Sequence, residues 1–472
     1  MSALDTGIIV AYLAMMVAIG LYASRKQGSV EDYFVASGRV GTVSIACLWL
    51  AGWVGGAAVV AGATNAYKFG ISAAWYIGST AIGCLLFGLF FAARVKRAGQ
   101  ENKYLTYPEM IESRYDSRTR VVATITTIIA YLGYAAGQIA ASALVLQTLL
   151  GMDYEVALML SAGIIVTYTA TGGFLAITYT DWVQVSILFV GVAVIGIPVA
   201  VSQGGSWSTL ATSLPGGHFD IGAWGWPTIL ALVVSIALSF FTAMDNYTRC
   251  FAAKSEQAAK RGTLIAAALL LPLMVGTVWM GLTARVLIPE LGDSGDVLTR
   301  FVMDYFPIGL KGLLLVGILA ALMSTADICI LTASANATRD IYQRYVNPSV
   351  EPKRLLKLSM IASAVIGIGA TMMAWLMRDV VNILLVAFTI NSAALFLPSV
   401  AMVYFKRASK TAAFWSMSCA LLVVVGWYAV SQFTETGLFA LDPLWPGLAV
   451  SLIMFTVISR AEGGQAGRMQ TL

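Results

Sequence analysis

Along this chain, apolar residues come in long unbroken runs separated by short polar stretches. They show neither the alternation of a half-buried strand nor the single stripe of a soluble amphipathic helix. A hydrocarbon layer about 30 Å thick is crossed by about 20 helical residues at about 1.5 Å rise each. On that measure the runs predict thirteen membrane-spanning helices. They fall at roughly 7–23, 41–66, 71–93, 119–150, 155–171, 180–202, 226–248, 262–288, 309–338, 356–377, 380–404, 411–431 and 441–459. No intervening loop is long enough to be a soluble domain, so residues 1–472 read as one transmembrane unit with a short polar tail at 460–472. Alternating ten-residue segments are scarce, which argues against an outer-membrane barrel. The expected fold class is an all-α membrane protein.

Composition supports the same reading. Of 472 residues, 59% are hydrophobic and only 11% charged, against about 25% charged in a soluble protein. So few charges could not keep a water-facing surface of this size in solution. The first apolar run has no basic segment ahead of it, so it reads as a retained span and not a cleaved signal. Of 29 Lys and Arg residues, all but Lys68, Arg285, Arg300, Lys311 and Arg378 fall after the odd-numbered spans. Cytoplasmic loops are the ones rich in Lys and Arg, which sets the N-terminus outside and the C-terminus in the cytoplasm, in an inner (plasma) membrane. One span more or fewer would scramble this asymmetry. The net charge of +5 is therefore a signal of topology in a lipid bilayer, and no nucleic-acid partner is implied.

Few side chains suit covalent chemistry. Cys47, Cys84, Cys250, Cys329 and Cys419 lie far apart, in or beside apolar runs, with no CxxC spacing, so neither a zinc site nor a disulfide framework is indicated. His218 is the only histidine and cannot form a cluster for metal or acid–base work. No GxxxxGK[ST] loop is present to bind ATP. These absences count against a membrane enzyme and an ATP-driven pump. A secondary transporter, a membrane sensor built like one and a channel remain open, and nothing in the pattern specifies an oligomer.

Three places break the apolar pattern. Span 2 holds Leu50-Ala51-Gly52-Trp53-Val54-Gly55-Gly56-Ala57, and glycines at mid-membrane weaken a helix by up to about 1 kcal/mol each. A helix broken near the midplane marks a transporter binding site, although small residues also serve close helix packing. Span 9 holds Ser324, Thr325 and Asp327 within Ala321-Leu322-Met323-Ser324-Thr325-Ala326-Asp327. Hydroxyl and carboxylate oxygens suit a hard cation, and an ionisable group at that depth is costly enough to imply a function. Asp181 opens span 6 after Thr171-Gly172-Gly173; a carboxylate at a helix start is also favoured by the macrodipole alone. Asp245 and Arg249, four apart, read as a local ion pair.

These segments resemble the sodium:solute symporter family. The stretch Thr171-Gly172-Gly173-Phe174-Leu175-Ala176-Ile177-Thr178-Tyr179-Thr180-Asp181-Trp182-Val183-Gln184 is similar to the family signature GGxxAVxxTDxxQ. The segment Ala321–Asp327, followed by Arg339-Asp340-Ile341-Tyr342, resembles its second landmark, and Arg249-Cys250-Phe251-Ala252-Ala253-Lys254 resembles the end of its seventh helix. The resemblance implies the inverted five-helix repeat of the bacterial leucine transporter, with repeat one at roughly 41–202 and repeat two at roughly 226–404. Broken helices in spans 2 and 7 would flank the solute. Span 7 has no Gly or Pro in its middle, so its break, near Phe240 to Met244, is expected from the resemblance alone.

The resemblance further implies a main sodium site made of the carbonyls of Ala51, Val54 and Ala321 and the hydroxyls of Ser324 and Thr325. A second ion site in some members uses the aspartate matching Asp181 with serines one turn along span 9. Here Asp327 and Ile328 stand in place of two of those serines, so Asp181 and Asp327 are candidates for a second sodium or a proton. Trp53, Gly55, Gly56, Phe241 and Asp245 are the candidate solute contacts. Trp75, Tyr76, Tyr131, Tyr134 and Trp375 are further candidates for an aromatic wall. The Trp53 and Met323–Asp327 segments look more like the choline-transporter branch than the sugar branch. An aromatic face attracts a quaternary ammonium by about 2 kcal/mol when desolvated, while N–H groups at half-helix termini suit a carboxylate. A choline-like amine and an amino acid or other organic acid are both open. The function expected is sodium-coupled symport of a small organic solute, with a transporter-like sensor or proton-coupled symport as the alternative.

Overall fold

The polar stretches between apolar runs become helix caps. Ser2 caps α1 (Ala3–Ser24), and Ser29 caps the short α2 (Val30–Val35). This computed structural model describes residues 2–291, 297–377, 380–405, 408–431 and 441–462. Arg378, Lys406, Arg407 and Arg468, part of the charge asymmetry, lie outside the described residues.

Span 2 is two helices, α3 (Thr42–Trp53) and α4 (Gly56–Phe69), parted at Val54 and Gly55. After α5 (Ala74–Phe90) come the short α6 (Ala92–Asn102) and α7 (Tyr107–Arg114). A reciprocal capping box of Thr106 and Glu109 starts α7, each side chain satisfying an N–H that the first turn would leave free. Asp116 caps α8 (Ser117–Leu150), and Gly151 ends it in the left-handed conformation at φ 65°.

α9 (Tyr154–Phe189) runs through a π-helical turn at Val190–Gly196 into α10 (Ile197–Ser202). A straight helix of those 49 residues would measure about 74 Å, more than twice the hydrocarbon thickness. It kinks at Gly173, φ 52° and ψ −153°, a region essentially reserved for glycine. A side chain there would also strike Tyr33, whose carbonyl oxygen lies 2.7 Å from the place a Cβ would take. The signature glycine therefore marks the kink at which two helices meet end to end. Asp181 sits two turns past it, 2% exposed, so its reading as a helix-start carboxylate is corrected.

The second half begins with α11 (Trp207–Ser213), then α12 (Trp226–Thr242) and α13 (Met244–Ala252), bent by 48° at Ala243. α14 (Glu256–Leu287), capped by Ser255, and α15 (Val297–Tyr305) follow. α16 (Leu310–Ala335) continues as a π-helix over Asn336–Val346. α17 (Pro352–Leu376), α18 (Val380–Tyr404), α19 (Lys410–Ser431) and α20 (Leu444–Ala461) complete the bundle.

α16 is the central post. In its most apolar stretch 94% of residues are buried inside the protein, against 22% in α20, and it packs mainly on α8 and α9. Asp5 of α1 fixes its start by accepting the N–H of Gly309 at 2.8 Å and of Gly312 at 2.9 Å. Polar side chains on α16 therefore face protein and not lipid.

Among the described residues, ten helices are long and apolar enough to cross a membrane, or eleven if the bent α12–α13 pair is one span. The expected thirteen is thus not met by length and composition. The difference lies at two joints: α4 and α5 run together as one stretch, Ala58–Phe90, and spans 5 and 6 join through Gly173. At each joint the chain bends at a glycine of positive φ, Gly70 and Gly173, and the flanking helices abut.

Candidate functional site

At the break in span 2 the backbone leaves the helical ladder. Val54 adopts φ −100°, ψ 60°, and the next helical donor, Ala58 N–H, bonds Gly55 at 2.8 Å instead of Val54. The Ala51 carbonyl is taken up by side chains of α16. Ser324 Oγ donates to it at 3.0 Å and Thr325 Oγ1 at 3.2 Å. The same hydroxyls lie 3.0 and 3.1 Å from the Ala321 carbonyl. Four of the five oxygens expected to hold sodium, those of Ala51, Ala321, Ser324 and Thr325, therefore converge, with Val54 one turn away. For a hard cation with bonds of about 2.4 Å, neighbouring ligand oxygens at right angles lie about 3.4 Å apart. The cluster would need to open by only a few tenths of an ångström, with each hydroxyl turning its lone pair inward. The donor set fits a sodium ion.

The second break lies at Ala243, within the expected segment Phe240 to Met244. No glycine marks it; side chains from the far side of the bend hold it open. Asn246 Nδ2 donates to the Phe240 carbonyl and Tyr247 OH to the Phe241 carbonyl, each at 2.8 Å, replacing the helical N–H groups these carbonyls lose. The two breaks are joined by Trp53, whose Nε1 donates to Asn246 Oδ1 at 2.7 Å. Trp53 stacks on Phe240 with ring centroids 3.7 Å apart and faces Phe388 at 6.5 Å. Phe388 in turn packs on Tyr134 at 4.7 Å. Phe241 turns away from this group and packs on Phe91 at 4.8 Å.

Asp245 accepts hydrogen bonds from the Tyr131 hydroxyl and from Arg249 Nη1, and its own N–H donates to Tyr131 OH at 3.0 Å. Arg249 Nη1 also reaches Asn246 Oδ1 at 2.9 Å. The pair read from sequence is present. The choline-like substrate is not supported. The nearby carboxylate is already paired with a buried guanidinium, and Trp53 is stacked closely on Phe240. Of the other aromatic candidates, Tyr131 and Tyr134 belong to this wall. Trp75 instead bonds the Ile221 carbonyl at 3.1 Å, and Trp375 is 54% exposed on the outer face of α17.

One turn along α16 lies a second polar cluster. Asp327 Oδ2 accepts from Tyr168 OH at 2.8 Å, and Gln184 Nε2 donates to Tyr12 OH at 3.0 Å. Asp181 is buried on α9, which packs on α16. Asp181 Oδ1, Asp327 Oδ1 and Gln184 Oε1 are buried without a partner, a costly arrangement that a cation would relieve. Tyr12, Tyr168, Asn246 and Gln138, the last described below, were not singled out by the sequence. Each is an ordinary polar residue within an apolar run, and its partners are far away in the chain.

Two helices broken at mid-span beside a fully buried third define a secondary transporter of the leucine-transporter-like fold. Residues 33–420 match the sodium:solute symporter family, and the chain belongs to that family. It is a sodium-coupled symporter of small solutes, and sodium is its coupling ion. Over 470 residues it is 27% identical to the sodium/pantothenate symporter of Escherichia coli (strain K12), covering 96% of this chain and 95% of the relative. It is 26% identical to the high-affinity proline transporter PutP of Bacillus subtilis (strain 168), covering 94% and 95%. Among solved structures, a substrate-bound, outward-open Na+-coupled sialic acid symporter superposes with a TM-score of 0.85 at 21% identity, over 99% of each chain. Mhp1, a nucleobase-cation-symport-1 family transporter, superposes with a TM-score of 0.57 at 16% identity, over 91% of this chain and 95% of its own. Neither a membrane sensor nor proton-coupled symport is favoured by these relatives.

Proposed function

We propose that this protein imports a small carboxylate-bearing solute, an amino acid or other organic acid, together with sodium across the inner membrane. The N-terminus is outside and the C-terminus cytoplasmic, and residues 1–472 form one transport domain. Repeat one spans roughly 41–202 and repeat two roughly 226–404, followed by two peripheral helices at roughly 411–459. The observation that carries the ion site is the convergence of the Ala51 and Ala321 carbonyls with the hydroxyls of Ser324 and Thr325 at a helix break. Proline, pantothenate and sialic acid, the solutes named for relatives, all carry a carboxylate. That supports an acid over a quaternary amine.

In this reading sodium bridges α16 to the break between α3 and α4, with Val54 as its fifth ligand. Ordering that break sets Trp53, Gly55 and Gly56 against the solute, so sodium raises solute affinity and solute raises sodium affinity by the same factor. Each inward sodium releases about 2.3 kcal/mol per 100 mV of membrane potential, beyond its concentration gradient. Asp181 and Asp327 hold a second sodium, with Gln184 Oε1 beside them. Phe241 supports the second broken helix from behind, and Asp245 positions Arg249 and Tyr131 and does not itself bind the solute. The test is uptake into proteoliposomes. Ser324→Ala with Thr325→Ala should abolish sodium-driven uptake while the protein still folds and inserts; normal sodium dependence in that double variant would sink the assignment.

A further inference from the structure

The N-terminal end of α4 has no side-chain cap. Ala58 N–H bonds the Gly55 carbonyl at 2.8 Å, and the first N–H groups of a helix have no carbonyl within their own helix to bond. Such an end attracts anions, but on its own it makes no site. The second observation comes from α8. Gln138 is 6% exposed, and its Oε1 is buried without a hydrogen-bond partner. Its amide is aimed at the break. A Cβ added to Gly55 would lie 3.3 Å from Gln138 Oε1, 3.5 Å from its Nε2 and 3.0 Å from Thr325 Oγ1. Glycine at 55 is what leaves room between the amide and the helix end. A buried amide oxygen without a donor is destabilising, and among the described residues none donates to it.

We propose that Gln138 is a specificity-determining residue that reads a hydrogen-bond donor next to the solute's carboxylate. This rests on the carboxylate reading above. The carboxylate sits at the α4 N-terminus, and a hydroxyl or N–H on the adjacent carbons donates to Gln138 Oε1. The class selected is hydroxy, amino and acylamino acids; plain carboxylates of the same shape leave the amide unpartnered and bind weakly. The apolar remainder of the solute lies against Trp53, Phe388 and Tyr134.

The test uses the full chain in detergent with saturating sodium and measures binding calorimetrically for matched acids. L-proline is paired with cyclopentanecarboxylate and L-lactate with propionate, alongside D-pantothenate and N-acetylneuraminate. The donor-bearing member of a pair should bind at least about tenfold more tightly to the wild type. Gln138→Leu should bring the two members within about threefold, while stabilisation by sodium alone persists. Discrimination that survives Gln138→Leu overturns the proposal. So does loss of the sodium-only stabilisation, which would assign Gln138 to the ion site. Should Gln138→Leu fail to fold, Gln138→Glu keeps the shape and sets a second negative charge beside the solute's carboxylate, which repels it. It should retain sodium stabilisation and bind none of the acids, and retained acid binding overturns the proposal. If no acid in the panel binds the wild type, the carboxylate reading falls and this inference with it.

Discussion

Gly52 lies one residue before Trp53, on the side of α3 that faces Arg249, and Gly52→Ala tests how tightly the two broken helices are locked. A Cβ at position 52 would fall on Arg249 Nη2, with Cζ at 2.8 Å and Nη1 at 3.4 Å. An exposed arginine would swing aside. This one is 1% exposed, pairs with Asp245, donates to Asn246 Oδ1 at 2.9 Å and sits 5.4 Å above the Trp49 ring. Moving it leaves the Asp245 carboxylate buried and unpaired, a loss of about 3–5 kcal/mol. The Asn246 bond adds about 1 kcal/mol, and because Asn246 also holds Trp53, the solute wall loosens. Gly52→Ala should therefore destabilise by about 4 kcal/mol or more, read by reversible denaturant unfolding followed through tryptophan fluorescence. In a background carrying Arg249→Ala and Asp245→Asn, the same change should be neutral, or favourable by up to about 1 kcal/mol, since alanine suits a helix better than glycine. A wild-type cost below about 1 kcal/mol, or an equal cost in both backgrounds, refutes the reasoning.

Asp181→Asn should make sodium dependence of uptake less steep, because one of the two acids proposed to hold the second ion becomes neutral; an unchanged Hill slope counts against that site. A pH effect is expected at the loop cluster around α7. Burial pushes the Glu112 carboxyl up, but the Ser117 hydroxyl and the Arg120 and Arg344 guanidiniums outweigh it and hold the carboxyl below its ordinary range. Its contribution to stability is therefore full above the unfolded glutamate pKa of about 4.3 and is lost as pH falls through the lower folded value. The stability gap between wild type and Glu112→Gln should narrow on acidification below about pH 4.3, and a constant gap would show that Glu112 does not titrate with folding.

The break at Gly55 was legible in the sequence because glycine weakens a helix locally, wherever the rest of the chain lies. The break at Ala243 was not. Its carbonyls are freed by Asn246 and Tyr247 reaching back across the bend, and those residues have no local mark of that role. Ser324 and Thr325 were visible as hydroxyls within an apolar run, and only packing brought the Ala51 carbonyl to them. Asp181 was seen for its charge but placed at a helix start, whereas it lies two turns past the kink at Gly173. Gln138 was missed altogether, being one amide among the 34 residues of α8 until Gly55 lies opposite.

By itself, then, the sequence determined membrane residence, family and the helix break written in glycine. Each depends on composition, motif or backbone freedom within a short window. Only the tertiary structure decided how spans join and which buried polar groups meet. A hydrogen-bond partner in a bundle comes from another helix, and a polar atom hidden from water acquires its role from whatever is packed against it.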